Sequence, residues 1–272
     1  MRFWYLLRES EPRSGSHNMA VDQHLLTLIE EGVLTAPVLR LYGWARPTLS
    51  LGYHQDWAAV ARPDALQEHG VDLVRRWTGG RAVLHDHDEI TYAVIAPQSS
   101  PFAGKVSHNY ALIGEALRRF TDLGSVQGEV TREEESLASV KRMKHAPCFA
   151  SLSRSEIEKG GRKLIGSAQK LGKKGFLQHG SIPLVHRPEI LETITGTKLK
   201  MDRLMTSLAD HYAEAGLNLP NREALMTRLE HAFGAAFQVV LRPLAEEGWP
   251  DESAVARIAA DRFDGDRWTF RK

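Results

Sequence analysis

Residues Lys163–Val185, KLIGSAQKLGKKGFLQHGSIPLV, set two apolar runs rich in small residues on either side of LGKKG, residues 171–175. Two such runs around a short turn bounded by glycines predict a β-hairpin. Toward the N-terminus, EITYAVIAP (89–97) alternates at Ile90, Tyr92 and Val94, the two-residue period of a strand. VDLVRRW (71–77) and RAVLH (81–85) read as strands joined at the Thr78-Gly79-Gly80 turn, and PVLRLYGW (37–44) and TLSLGYH (48–54) as strands joined at Arg46-Pro47.

Helical spacing marks the remainder. Met19, Leu25, Leu26 and Ile29 define a helix over 17–31, with Ser16 as candidate N-cap and Gly32 as its stop. A small helix over 61–69 closes at Gly70, and Tyr110, Ile113, Leu117 and Phe120 place another over 107–122. TREEESLAS (131–139) reads as a solvated loop or poor helix. From Met201 onward the spacing predicts helices over 201–215, 221–235 and 252–262, broken by Pro220 and by RPLAEEGWP (242–250). Strands and helices follow in no regular alternation, which predicts an α+β fold rather than a doubly wound sheet. Neither internal repeats nor low-complexity tracts interrupt the pattern.

A length of 272 residues allows one large domain or two small ones, and 42% hydrophobic with 25% charged residues is ordinary for a soluble globular protein. The single cysteine, Cys148, forms no internal disulfide, which fits a reducing cytoplasm. MRFWYLLRES has five apolar residues in a row, too few for a signal peptide or a membrane span. Net charge is +1 but unevenly spread: Ser139–Lys174 holds ten Lys and Arg against Glu156 and Glu158, so it carries +8 and the rest −7. Either a solvated face or a docking surface for an acidic partner accounts for this run. Without aromatic interleaving it gives no support to nucleic acid.

Cys148 lies in HAPCF (145–149), with Lys141, Arg142, Lys144 and His145 just upstream. A lone cysteine is commonly a small buried hydrophobe, but positive charge stabilises the thiolate and favours a nucleophile. Lys163 stands at the mouth of a strand beside small residues, either as a solvated edge lysine or as a cation held where backbone approaches a ligand. Arg75 and Arg76 beside Gly79 and Gly80 suit a phosphate or carbonyl needing guanidinium and backbone donors. His179 is either a core histidine or part of the site. His85 and His87 share a strand face, while Asp86 and Asp88 point to the other; lacking a Cys pair or His-x-x-x-His, the sequence is read as holding no metal.

RRWTGGRAVLHD (75–86), APCF, GRKLIGSAQ (161–169) and LQHGSIPL (177–184), with NMAVDQHLL (18–26) and LRLYGWARPTLSLGYHQ (39–55), together resemble the biotin/lipoate protein ligase catalytic family. The resemblance spans about residues 1–200 in order and is nearest to the cysteine-dependent branch that moves octanoyl from acyl carrier protein to a lipoyl-domain lysine. It implies a mixed, largely antiparallel sheet flanked by helices, in one domain over 1–272 with a helical segment from about 201. It implies Cys148 and Lys163 as catalytic residues. Substrate binding falls to Arg75, Arg76, Thr78, Gly79, Gly80 and His85 in the first motif, and to Gly166, Ser167 and His179 in the hairpin. Partners are octanoyl-acyl carrier protein as donor and a lipoyl domain or glycine-cleavage H protein as acceptor; no cofactor, nucleic acid or membrane takes part, and the reaction is cytoplasmic. ATP-dependent ligases of the family share the Arg-Arg and Lys-x-x-Gly patterns, but Arg81 stands where they place a third glycine and they lack the PCF cysteine. An ATP-dependent lipoate ligase and a non-catalytic acyl-protein binder stay open as alternatives.

Overall fold

In this computed structural model, residues 2–99, 101–102, 105–123, 127–130 and 157–271 are described. Their strands are β1 (Phe3–Arg8), β2 (Val38–Tyr42), β3 (Thr48–Leu51), β4 (Asp72–Arg75), β5 (Val83–His85), β6 (Glu89–Pro97), β7 (Glu129–Val130), β8 (Ile157–Lys159), β9 (Arg162–Leu171), β10 (Gly175–Pro183) and β11 (Val240–Pro243). Eight form one sheet in the order β11-β1-β2-β6-β10-β9-β8-β7, and three form a second, β4-β3-β5. In the large sheet only β1 with β2 and β1 with β11 run parallel; the remaining neighbours are antiparallel. The architecture is therefore α+β, with a mixed and largely antiparallel sheet.

The first helix, α1 (Gly15–Glu31), carries the chain from β1 to its parallel neighbour β2, a connection that needs such a crossover. Its N-cap is Ser14, whose hydroxyl accepts from the His17 N–H at 3.2 Å, two residues before the expected Ser16. Gly32 ends it at φ 77°, a left-handed conformation that glycine adopts without a Cβ penalty. α1 packs on one face of the large sheet, against Ala93, Ile95 and Leu177. Helices Val106–Leu123 and Arg222–Phe237 cover the other face, against Tyr92, Val94 and Phe176. β6 is thus buried on both sides, and Ala93 and Ile95 occupy the positions its alternation had left to solvent. Burying a side chain such as Ile95 contributes about 1.5–3 kcal/mol.

The hairpin at LGKKG is present: β9 and β10 pair antiparallel, and the Gly172 N–H donates to the Gly175 carbonyl at 2.8 Å. The Thr78-Gly79-Gly80 segment is not a hairpin turn. β4 and β5 flank β3 on opposite sides, so residues 76–82 pass over the end of β3. The region expected as one helix over 201–215 is a 3-10 turn at Met201–Arg203 and a separate helix Leu208–Glu214, begun by a capping box between Ser207 and Asp210. β11 and the helix Pro188–Thr195 had no expectation, and the helix from Glu252 changes to a π turn at Ala259–Phe263. TREEESLAS and the basic loop through Cys148 lie outside the described residues.

Candidate active site

A pocket opens between the two sheets. The large sheet supplies Thr91, Gly166–Ala168 and His179–Ser181, the small sheet and its loop supply Arg76, Val83 and His85, and Met19, Tyr42 and Trp44 close the apolar side. Three positions on two neighbouring strands meet here because the hairpin register sets His179 opposite Ala168 and Ser181 opposite Gly166. Gly180 has no room for a side chain: a Cβ would lie 2.5 Å from the Tyr92 ring and 2.7 Å from the Gly166 carbonyl.

His179 is fixed at both nitrogens. Nδ1 lies 2.8 Å from Asp22 Oδ2 and Nε2 lies 2.8 Å from Thr78 Oγ1. Burial raises the Asp22 pKa, but the Arg40 guanidinium and the His179 contact outweigh it and hold the carboxyl below its ordinary value. Burial, helped by the charges of Arg76 and His85, holds the His179 pKa below its ordinary value although Asp22 acts to raise it. The pair is therefore a carboxylate and a neutral imidazole, and the one ring N–H belongs on Nδ1, facing the carboxylate. Nε2 then accepts from the Thr78 hydroxyl, whose oxygen accepts from Arg76 Nε at 3.3 Å. Arg40, itself fully buried, holds Asp22 Oδ1 at 2.7 Å and Glu9 at 2.6 Å.

A second relay of the same kind runs alongside. His85 places Nδ1 2.8 Å from Glu89 Oε1 and Nε2 2.7 Å from Ser50 Oγ, and its ring stacks on Trp44 at 4.0 Å. Ser50 Oγ also accepts from Arg76 Nη1 at 2.8 Å. Ser181 donates to Glu89 Oε2 at 2.8 Å, Thr91 donates to the same carboxylate, and the Trp44 indole N–H donates to Thr91 at 2.8 Å. Two carboxylate–imidazole–hydroxyl chains, from Asp22 and from Glu89, thus converge on one guanidinium.

Arg76 spends its five N–H groups on the protein: Thr78 Oγ1, the Ser50 carbonyl and hydroxyl, and the carbonyls of Gly79 and Arg81 at 3.0 and 2.9 Å. It shapes the Gly79-Gly80 loop rather than offering an empty fork. Arg75 lies outside the pocket. Its buried guanidinium holds the carbonyls of Gly52, Tyr53 and Gln55 on one side and of Trp268, Thr269 and Arg271 on the other. In this structure the side chain clamps two backbone segments. Gly80 is at φ 84°, and a Cβ on Gly52 would sit 2.0 Å from the Gly80 carbonyl, so glycine is required on both sides of that approach.

Lys163 is fully buried and not a solvated edge lysine. Its backbone is tied to the 204–206 segment: its N–H donates to the Leu204 carbonyl at 2.9 Å and its carbonyl accepts from Thr206 at 3.0 Å. β8 pairs Ile157 with Ile165 but Glu158 with Lys163, so β9 carries one extra residue there. Leu164 and Ile165 accordingly both enter the same core, and the backbone register brings Lys163 into phase with Gly166 and Ala168, although it is not among the residues that line the pocket. Ser167 turns the other way, its hydroxyl 2.7 Å from Tyr92 OH. His85 and His87 do not act together: His87 is exposed, and Arg187 engages Asp86 and Asp88, the carboxylates beside it. Cys148 lies outside the described residues.

Asp22, Arg40, Ser50, Glu89, Met19, Tyr42 and Trp44 carried no site expectation. Asp22 had a signal: it falls three residues after Met19 and three before Leu25, on the apolar stripe of α1, where an unpaired carboxylate would be costly.

Two sheets closing on a pocket of this kind make the fold that of the lipoate-protein ligases. The structure aligns with lipoate-protein ligase A bound with ATP at a TM-score of 0.79, covering 98% of each chain at 16% identity. The bipartite lipoate protein ligase of Thermoplasma acidophilum aligns at 0.77, covering 100% of this chain and 99% of that one, again at 16% identity. At such identity the likeness concerns fold alone. The chain belongs to the family of the lipoyl protein ligase A/B catalytic domain, whose model matches residues 14–234. Within it, the chain is 36% identical over 278 residues to the octanoyltransferase LipM of Kyrpidia tusciae, covering all of both. It is 34% identical to the octanoyltransferase LipM of Staphylococcus aureus, covering 94% of each. Among the described residues, no helix is long and apolar enough to cross a membrane.

Proposed function

We propose that this chain is a protein octanoyltransferase that takes octanoyl from acyl carrier protein, holds it as a thioester on Cys148, and passes it to a lysine of a lipoyl domain or glycine-cleavage H protein. The observation that carries this reading is the pocket between the sheets: an apolar side of Met19, Tyr42, Trp44 and Val83 facing a polar side fixed by His179, Thr78 and Arg76. Full-length similarity to octanoyltransferases supports the same acyl group.

The Cys148 thiolate adds to the thioester carbonyl, the bond from that carbon to the carrier sulfur breaks, and the carrier thiolate takes up a proton. The lysine amine of the acceptor then adds to the new thioester. Its N–C bond forms, the C–S bond to Cys148 breaks, and the amine proton leaves with the restored thiol. One thioester replaces another in the first step and an amide replaces a thioester in the second, so no ATP is consumed. Lys163, fully buried one bulge before the Gly166–Ala168 wall, stabilises negative charge on the thiolate and then on the carbonyl oxygen. A neutral His179 locked as the Nδ1–H tautomer keeps the Thr78 hydroxyl and the Gly79-Gly80 backbone in one arrangement beside that oxygen. The whole chain acts as one catalytic domain, with the residues from about 201 packed on the sheet, in the reducing cytoplasm that keeps the single thiol free.

Purified protein incubated with octanoyl-acyl carrier protein in the absence of ATP should gain one octanoyl group on the peptide that contains Cys148, and should lose it to added lipoyl domain. Lipoylation that needs ATP and free lipoate or octanoate, with Cys148 unmodified, would make the chain a ligase instead.

A further inference from the structure

Beside the pocket, three cations and three aromatic rings alternate in a closed ring. Arg271 lies 3.8 Å from the Tyr53 ring centre and 4.0 Å from that of Trp268. Arg262 lies 4.8 Å from Trp268 and 5.1 Å from Trp77, and the Lys170 ammonium lies 4.9 Å from Trp77 and 5.7 Å from Tyr53. Each cation thus faces two rings and each ring two cations. All six residues are half-buried, so solvent reaches the cluster.

The rings attract the cations but leave their charge in place. Among the described residues, no carboxylate pairs with any of the three. Arg262 donates to Gln23 Oε1 at 3.0 Å and Arg271 donates to the Tyr53 carbonyl at 2.7 Å, both neutral acceptors. Every charge that acts appreciably on the Tyr53 hydroxyl is positive, from Arg271, Lys170 and Arg262, and Arg271 heads the causes that lower its pKa. Three like charges gathered without a counter-charge leave a deficit that an anion would fill.

Position says which anion. Trp77 follows Arg76, and Lys170 lies two residues beyond Ala168 on the same face of β9, so the cluster adjoins the pocket wall. From Gly166 to Lys170 the strand runs about 13 Å. We propose that this cluster binds the phosphodiester of the pantetheine arm that carries the donor thioester, while the acyl end occupies the pocket. The site rests on the carrier-thioester donor proposed above. It explains why residues 262–271 are held against the 52–55 loop and residues 75–77 at all: they complete a subsite to which no single segment supplies enough charge.

The test uses binding, so it does not depend on turnover. Trp77 and Trp268 report on the cluster through their fluorescence. The intact protein should bind 4′-phosphopantetheine about tenfold more tightly than pantetheine, the effect of one charge-assisted contact. That preference should vanish in the double variant Lys170→Gln/Arg262→Gln and persist in Lys170→Arg, which keeps the charge. Equal binding of the two probes by the parent protein, a preference that survives in the double variant, or tighter binding of a single-stranded oligonucleotide than of either probe would overturn the site. A protein that shows the phosphate preference yet never takes octanoyl from its carrier would keep the anion site and end the donor reading, so the two failures are separable.

Discussion

Thr78 leaves the small sheet and His179 stands on the large one, and their side chains meet at 2.8 Å. That contact joins the two sheets across the pocket, and with Asp22 keeping the ring N–H on Nδ1 it is the Thr78 hydroxyl that donates. Thr78→Val removes the hydroxyl without changing shape, leaving His179 Nε2 and Arg76 Nε each short of a partner. The loss is about 1–3 kcal/mol, or roughly a five- to hundredfold fall in kcat/KM if it is felt in the transition state. Thr78→Ser should restore most of it. Equal rates in all three proteins, measured with octanoyl-carrier donor, would separate this relay from the chemistry.

Cys148→Ser should leave the unfolding transition in place and reduce octanoyl transfer to background, since serine lacks a thiolate to form the intermediate. Near-normal ATP-independent transfer by the variant would rule out the cysteine as nucleophile.

Lys163 is buried, so its replacement should keep volume. Lys163→Met retains most of the apolar stem and deletes the charge. Alkylation of Cys148 by iodoacetamide at neutral pH should slow, and the midpoint of its pH dependence should rise, because the ammonium no longer favours the thiolate. An unmoved midpoint would restrict Lys163 to the steps after acylation.

Among the described residues, the basic run's cations do not form one surface. Lys159 reaches the Gln127 carbonyl, Arg162 pairs with Glu214, Lys163 is buried, Lys170 lies over Trp77, and Lys173 and Lys174 are exposed at the hairpin tip. Lys173→Glu together with Lys174→Glu should slow capture of the acidic carrier at low ionic strength and leave the acylation rate at saturating donor unchanged. Single-turnover acylation at two salt concentrations reads both quantities; an unaltered donor dependence at low salt would make the tip a solvated turn.

Acid should destabilise the fold near neutrality. Burial is the largest cause that lowers the pKa of His17, His24 and His179 below the ordinary 6.5. As pH falls through about 6.5 the unfolded chain takes up protons that the folded one refuses, so stability declines with falling pH in that window. The Asp22 contribution is retained there, because its carboxyl is held below 3.8 and stays ionised. The thermal midpoint should drop between about pH 7.5 and 5.5; a flat or rising midpoint would show these imidazoles charging without cost.

Local signals in the sequence located the hairpin, α1 and the helix Val106–Leu123, because each buries one periodic stripe beside a clear turn or glycine stop. They misplaced the Thr78–Gly80 loop, since a glycine pair between two strand-like runs looks the same whether the strands pair or pass on either side of a third. β11 was missed for a related reason: Val240–Pro243 is short, exposed along much of its length, and a strand only by virtue of β1. In the site, His85, His179, Thr78, Gly166 and Arg76 were legible as motif members and do line or frame one pocket. Their partners were not: Asp22 and Ser50 reach them across 157 and 26 residues of chain, and Glu89, four residues from His85, carries no distinguishing neighbours. The bulge at Leu164 is likewise invisible in β9 alone, yet without it strict alternation would turn Lys163 away from Gly166.

The pairing of β1 with β11 joins residues 3–6 to residues 240–243. A ribosome adding about 5–20 residues per second leaves an interval of roughly ten to fifty seconds between the two strands. Until then FWYLLR has at most β2 as a partner, and its other backbone edge stays open. The closing strand is also among the shortest and most exposed, so it contributes little until its neighbours are in place. Completion of the sheet is therefore a late, non-local event, of the kind that folds slowly and exposes nascent chains to aggregation. A cell making this protein has to shelter the first strand until almost nine-tenths of the chain has been synthesised.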